Sequence, residues 1–135
     1  MELTELFHPG MEREATFTVG EEQLASHVGS GSARVLATPW MIAFMERVAR
    51  DLLAEQLPPG YSSVGVRVDV RHLAPTPLGK RVRVRAEVIG LKGSRVDFSV
   101  QAWDEWEMIG EGTHQRVVIE EARFLRRLAQ KLDDQ

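Results

Sequence analysis

Cysteine and asparagine are both missing from this chain of 135 residues. Without a thiol there can be no disulfide, no thiolate nucleophile and no cysteine metal site. No run of about 18 apolar residues occurs, so no segment reads as a membrane helix. Met1-Glu2-Leu3-Thr4-Glu5 is acidic and lacks the basic stretch and apolar core of a secretory leader, so a soluble cytoplasmic protein away from membranes is expected. Basic charge is not in excess either. A net charge of -3 with pI near 5.8 argues against general nucleic-acid binding, which needs positive charge to neutralise phosphates. Lysine is scarce, 3 against 14 arginines, and together with the missing asparagine this fits a heat-adapted source. The four histidines, His8, His27, His72 and His114, are scattered without ligand spacing, so no metal is expected.

What is present fits one domain over residues 1–135, long enough to bury roughly two thirds of its unfolded surface. Residues 1–12 show no clear period, and Glu14 to Val19 alternates as a first strand. A Gly-rich stretch, Val28-Gly29-Ser30-Gly31-Ser32, lacks the Gly-Lys-Ser/Thr ending of a phosphate loop and reads as a lead-in. Thr38-Pro39 then opens a helix, with Thr38 as N-cap and Pro39 at its first position, running to about Gln56 before Pro58-Pro59-Gly60. Met41, Ile42, Met45, Val48, Ala49, Leu52 and Leu53 form one apolar stripe, with Glu46 at its edge.

Four strand-like runs follow, Tyr61 to Leu73, Lys80 to Gly90, Ser94 to Glu105 and Met108 to Ile119, and then an amphipathic helix from Glu120 to Leu132. Their short connections predict an antiparallel meander of sequential neighbours. The fold class is therefore α+β, a curved antiparallel sheet wrapped around a long central helix with a C-terminal helix, which is the hotdog arrangement. Its open edge calls for a second copy, so a homodimer is expected, with a tetramer as a further step.

Three side chains stand out as chemistry. Alternation places His72 on the same face as Val66, Val68 and Val70, towards the helix, where an imidazole suits general base work. Glu46 beside an apolar stripe can orient such a base or attack a carbonyl, and Thr38 marks a helix N-terminus whose N–H groups and partial positive charge suit a thioester oxyanion. Each has a structural reading too: His72 as a core histidine satisfied by a carbonyl, Glu46 as a helix-flank carboxylate reaching water, Thr38 as an N-cap. Gly65, inside a strand, marks a bulge or a close ligand approach. His114 reads as a packing or surface histidine, Trp40, Trp103 and Trp106 as core or interface anchors, and Arg67, Arg71, Arg81, Arg83 and Arg85 as a solvated sheet face, some of which could meet CoA phosphates. Thr38 and Glu46 are separated by about 12 Å along a helix. A site using both needs His72 between them or residues from two protomers, and the expectation is a dimer with sites at the protomer boundary, Thr38 and His72 coming from different chains.

Over roughly residues 10 to 120 the chain resembles the fluoroacetyl-CoA thioesterase-like branch of the hotdog thioesterases. The resemblance is carried by Val35-Leu36-Ala37-Thr38-Pro39 leading to Glu46, by Val64-Gly65-Val66 leading to His72-Leu73-Ala74-Pro75-Thr76-Pro77-Leu78-Gly79, and by Gly110-Glu111-Gly112-Thr113-His114-Gln115-Arg116. It implies catalytic roles for Thr38, Glu46 and His72, a substrate contact at Gly65, and hydrolysis of an acyl-CoA to free acid and CoA, with no cofactor beyond the CoA of the substrate. It stops short of selectivity. The fluoroacetyl-specific member carries lid phenylalanines just before the catalytic helix, whereas Ser26 to Ala37 contain no aromatic residue. Two other readings share the fold: a non-catalytic module that binds acyl-CoA as a sensor or carrier, and a hydratase or dehydratase, which would want a close Asp–His pair not found here.

Overall fold

A computed structural model describes residues 1–133. It contains five strands, β1 (Glu12–Thr18), β2 (Tyr61–His72), β3 (Arg81–Lys92), β4 (Arg95–Trp103) and β5 (Met108–Glu120), and three α-helices, α1 (Ala25–Val28), α2 (Thr38–Ala54) and α3 (Glu121–Asp133). The sheet is antiparallel throughout, in the order β1-β3-β4-β5-β2. Inward residues of the central strands, Val82, Val84, Ala86 and Val88 on β3 and Val96, Phe98, Val100 and Ala102 on β4, are fully buried. Helix α2 lays Met41, Phe44, Met45, Val48, Ala49, Leu52 and Leu53 into this face. Phe44 stacks on Phe17 of β1 with ring centroids 4.2 Å apart. The aperiodic N-terminus adds Leu3 and Phe7 to the same core.

The predicted meander is only partly present. Strands β3, β4 and β5 follow one another, but β2 pairs with β5 rather than with its successor β3, and β1 takes β3's other side. The cause lies in Pro75-Thr76-Pro77. Two prolines lack the N–H that a hairpin ladder requires, and the segment binds elsewhere: the Thr76 carbonyl accepts from Leu36 N–H at 2.9 Å, and Thr76 Oγ1–H donates to Asp104 at 3.0 Å. The chain therefore crosses from the β2 edge of the sheet to β3, the strand next to the opposite edge.

Strand β2 thus becomes an edge, and its faces depart from the predicted alternation. A bulge between Gly65 and Arg67 shifts the register against β5. Val66 and Val68, expected to face the helix, are 54% and 39% exposed. The tryptophans also divide. Trp40 packs against the core, whereas Trp106 is exposed on the β4–β5 turn with Lys80 over its ring, so it anchors no core. The arginine face is as expected, with Arg83 on Glu14 and Arg85 on Glu12 and Glu87.

Strand β2 is held by its antiparallel pairing with β5, and Gly112 lets the two backbones approach closely. A Cβ at Gly112 of β5 would lie 2.1 Å from the Asp69 carbonyl oxygen and 2.6 Å from Val70 Cα. Since neither atom can rotate away, Gly112→Ala is expected to lower unfolding stability by about 1–3 kcal/mol. An unchanged urea midpoint would show that the two strands part without strain.

Candidate active site

The clamp that redirects Pro75–Pro77 also builds the site. Residues just before α2 are tied to residues just after β2, through the Val35–Pro77 bridge and the Leu36–Thr76 hydrogen bond. This brings the first residue of α2 beside the last of β2. Thr38 Oγ1 lies 2.7 Å from His72 Nδ1. The hydroxyl is therefore not an N-cap: Ala37 holds the cap position, and no side chain caps the helix. The helix end also offers fewer free donors than expected, because Pro39 has no N–H and Trp40 and Met41 both donate to the Ala37 carbonyl. Its dipole remains as a source of positive potential.

Thr38 and His72 open into a cleft of about 450 Å³. Its wall is built from small residues, Ala25, Gly31, Ala33 and Val35 among them, with no aromatic side chain. Burial pushes the His72 imidazole below its ordinary value of 6.5, against an opposing backbone interaction at Ala74. Its Nε2 is buried and, among the described residues, has no hydrogen-bond partner. A neutral ring with a lone pair facing a hydroxyl is arranged for proton abstraction.

Because Thr38 and His72 pair within one chain, the expected division of these two between protomers is overturned. Nor does His72 bridge to Glu46. The Glu46 carboxylate lies further along α2, above the β2 bulge, in a separate depression of about 300 Å³ shared with Arg47, Arg50 and Arg116. Its Oε2 is 3.6 Å from Arg116 Nη1. Gly65 makes room for it, since a Cβ there would fall 2.8 Å from Oε2.

One residue here, Arg116, escaped the reading of the sequence except as the end of the Gly110–Arg116 motif, and the packing reading of His114 holds. Arg116 is only 6% exposed; its Nε–H donates to Ser63 Oγ at 2.9 Å and its Nη2–H to the Ser63 carbonyl at 3.1 Å. His114, expected as a packing or surface residue, is buried at 1% exposure against this guanidinium. The signal was available in β5: His114 and Arg116 share parity with inward Val118, and polar groups at consecutive inward positions must find partners. Among the described residues no group of three or more His, Asp or Glu is placed to hold a metal ion.

Comparison with known proteins places this geometry. The family model described as fluoroacetyl-CoA-specific thioesterase matches residues 19–122. The fluoroacetyl-CoA thioesterase of Streptantibioticus cattleyicolor is 39% identical over 97 residues, covering 72% of this chain and 70% of the relative. A hot-dog-like protein from Thermanaerovibrio acidaminovorans superposes with a TM-score of 0.90 at 29% identity, covering 97% of both chains. A mutant of the fluoroacetyl-CoA-specific thioesterase FlK, crystallised with fluoroacetate and CoA, superposes at 0.83 with 32% identity, covering 87% of this chain and 99% of that one.

The buried imidazole has a consequence for stability. With its folded value depressed, His72 takes up a proton more readily in the unfolded chain, so the contribution is present above about pH 6.5 and is lost as pH falls below it. Urea unfolding at pH 7.5 and 5.5 is expected to show lower stability at the acid value, with a smaller drop in His72→Asn. Equal drops in the two proteins would mean that His72 titrates as in the unfolded chain.

Proposed function

Since this chain belongs to the fluoroacetyl-CoA-specific thioesterase family, we propose that it hydrolyses an acyl-CoA thioester to the free acid and CoA. The observation that carries this reading is the 2.7 Å contact between Thr38 Oγ1 and His72 Nδ1 at the mouth of a cleft. His72 accepts the proton of the attacking hydroxyl, that of Thr38 or of a water held against it. The hydroxyl oxygen bonds to the thioester carbon, the carbonyl oxygen becomes the oxyanion beside the positive end of α2, and its collapse expels the CoA sulfur, which takes a proton back from the imidazolium. Attack by water gives the free acid directly, whereas attack by Thr38 gives an acyl-threonine ester that a second water, activated by His72, hydrolyses to the free acid and the restored hydroxyl. No metal or redox cofactor enters. The FlK mutant has been crystallised with fluoroacetate and CoA, which supports CoA as the carrier here. The cleft wall carries no counterpart of the lid phenylalanines of the fluoroacetyl-specific member, so fluoroacetyl selectivity is not part of this reading.

The working unit in this reading is a homodimer joined through β2. Both sheet edges carry charges, Glu12, Arg13 and Glu14 on β1 and Arg67, Asp69 and Arg71 on β2, but β2 also exposes the large apolar side chains Val66, Val68 and nearby Leu73, the last at 49%. Antiparallel pairing of two β2 strands brings Glu46 of the partner subunit, seated over the Gly65 bulge, towards this chain's His72, whose Nε2 lacks a partner. Glu46 then orients the imidazole or polarises the thioester, and Gly65 lies against the acyl group. No helix among the described residues is long and apolar enough to cross a membrane. The same reading puts the enzyme in the cytoplasm of a heat-adapted cell, on the composition already given.

Thiol release from a panel of acyl-CoA substrates tests the activity. His72→Ala is expected to lower kcat by about 10² or more with the fold retained, and Glu46→Gln to impair kcat more than KM. Binding without turnover in the wild type would make the protein a sensor or carrier, and near wild-type turnover in folded His72→Ala would make the histidine structural.

Mixed dimers test the assembly. Thr38→Ala mixed with Glu46→Gln after reversible dissociation is expected to regain activity, because one of the two sites becomes intact. Thr38→Ala mixed with His72→Ala should stay inactive, since those side chains share a chain. Silence in the first mixture, with heterodimers present, would place Glu46 in the same chain's site.

A further inference from the structure

The hydrolysis just described leaves one buried titratable group of the core unused. His114 packs near the Phe98 ring at 6.2 Å between centroids, and both its nitrogens are engaged. Nδ1 lies 2.8 Å from the Arg67 carbonyl oxygen, and Nε2 lies 3.1 Å from Arg116 Nη1. A carbonyl oxygen only accepts and a guanidinium only donates, so a single proton assignment satisfies both contacts. Nδ1 carries the hydrogen, Nε2 keeps its lone pair, and the ring is neutral. The bulge after Gly65 sits where the Arg67 carbonyl meets His114, which connects the irregularity of β2 to this contact.

The guanidinium is thereby held from three directions. Ser63 Oγ and the Ser63 carbonyl accept from Nε and Nη2, and His114 Nε2 accepts from Nη1. Nη1 in turn faces Glu46 Oε2. A protonated His114 would have no lone pair for Arg116 and would set a second cation beside a buried one.

We infer that His114 is a positioning residue for the hydrolysis: its neutral Nδ1–H form fixes Arg116, Arg116 fixes the Glu46 carboxylate over Gly65, and protonation of His114 releases that carboxylate. The inference rests on the reading in which Glu46 serves the thioester chemistry. The groups that face the ring are Arg116 on its own strand, Glu46 from α2, the Arg67 carbonyl from β2 and the uncharged Phe98 from β4. Burial lowers the imidazole below 6.5; the Arg67 carbonyl pulls the other way, Arg116 lowers it further, and Glu46 raises it.

Side-chain nitrogen NMR on the intact wild-type protein at pH 7.5 tests the tautomer independently of turnover. The expected spectrum shows His114 protonated at Nδ1 and bare at Nε2, and a proton on Nε2 overturns the inference. Kinetics tests the consequence. His114→Phe keeps the ring but removes the acceptor, and is expected to lower kcat by about tenfold to a hundredfold, the scale of a small misplacement of a reacting group, with KM little changed. His114→Gln, whose side-chain oxygen can still accept from Arg116, should restore most of kcat, and the acid limb of its pH profile should lose one ionisation relative to wild type. Wild-type kcat and an unchanged acid limb in a folded His114→Phe protein would make His114 a core filler; should that variant not fold, the tautomer and the His114→Gln profile decide. If Glu46→Gln alone leaves turnover intact, the role of Glu46 is what has failed; if Glu46→Gln is impaired while the His114 variants are not, only the present inference falls.

Discussion

Burial of one face of α2 inside the curve of the sheet is the constraint on which everything else depends. Seven side chains of that helix are buried against β1 to β5, and at about 1.5–3 kcal/mol for each large apolar side chain removed from water they supply much of the driving force for folding. A surface so committed has no room for unpaired polar atoms. Chemistry must therefore sit at the rim, and it does: Thr38 at the helix end, Glu46 on the flank, His72 at the end of the edge strand. The same constraint holds them apart, since a straight helix cannot bring its first residue to its ninth.

Much of this architecture was legible from periodicity. The alternation of Val82, Val84, Ala86 and Val88, and the stripe from Met41 to Leu53, announced a strand and a helix because each repeats at the spacing of its own geometry. Element bounds came out within about two residues. Strand order did not, because a period of two tells which face of a strand is buried and nothing about which strand lies beside it. The clue that short connections make hairpins failed at Pro75-Thr76-Pro77, where missing donors and the buried Thr76 send the chain across the sheet. Val66 and Val68 were misread for two further reasons: Val66 falls in the bulge, which interrupts the alternation, and Val68 lies on an edge strand that projects past its cover.

The site shows a similar division. Types of residue were recognisable, but which of them meet was not. Thr38 and His72 come together through a backbone clamp between Val35–Leu36 and Thr76–Pro77, a tertiary event with no local signature. Gly65 was legible as an interruption, and the bulge is there. Its reason became visible only with Glu46 Oε2 placed where a Cβ would be. His114 was read as a packing residue and is one, but it was weighed alone and Arg116 was not weighed at all, although their shared inward parity with Val118 pointed to a pair.

Arg116 also bears on why such a group is kept at all. A buried ion pair is a poor way to stabilise a fold, because withdrawing each charge from water costs several kcal/mol and an apolar side chain of similar volume often does as well. Arg116 carries that cost while nearly fully buried, and its partner Glu46 is only half-buried, which weakens the Coulombic return. Stability therefore gives little reason for Ser63, His114 and Glu46 to be arranged about one guanidinium. Geometry gives a better one. A planar donor fork fixed on three sides holds the second N–H of Nη1 in one direction, and that direction is towards the carboxylate above Gly65. Glu46 alone, on an exposed helix flank, would sample several rotamers. Seated against Arg116 and in the space left by a missing Cβ, it is held in one, at the strand edge where a second chain would join the sheet.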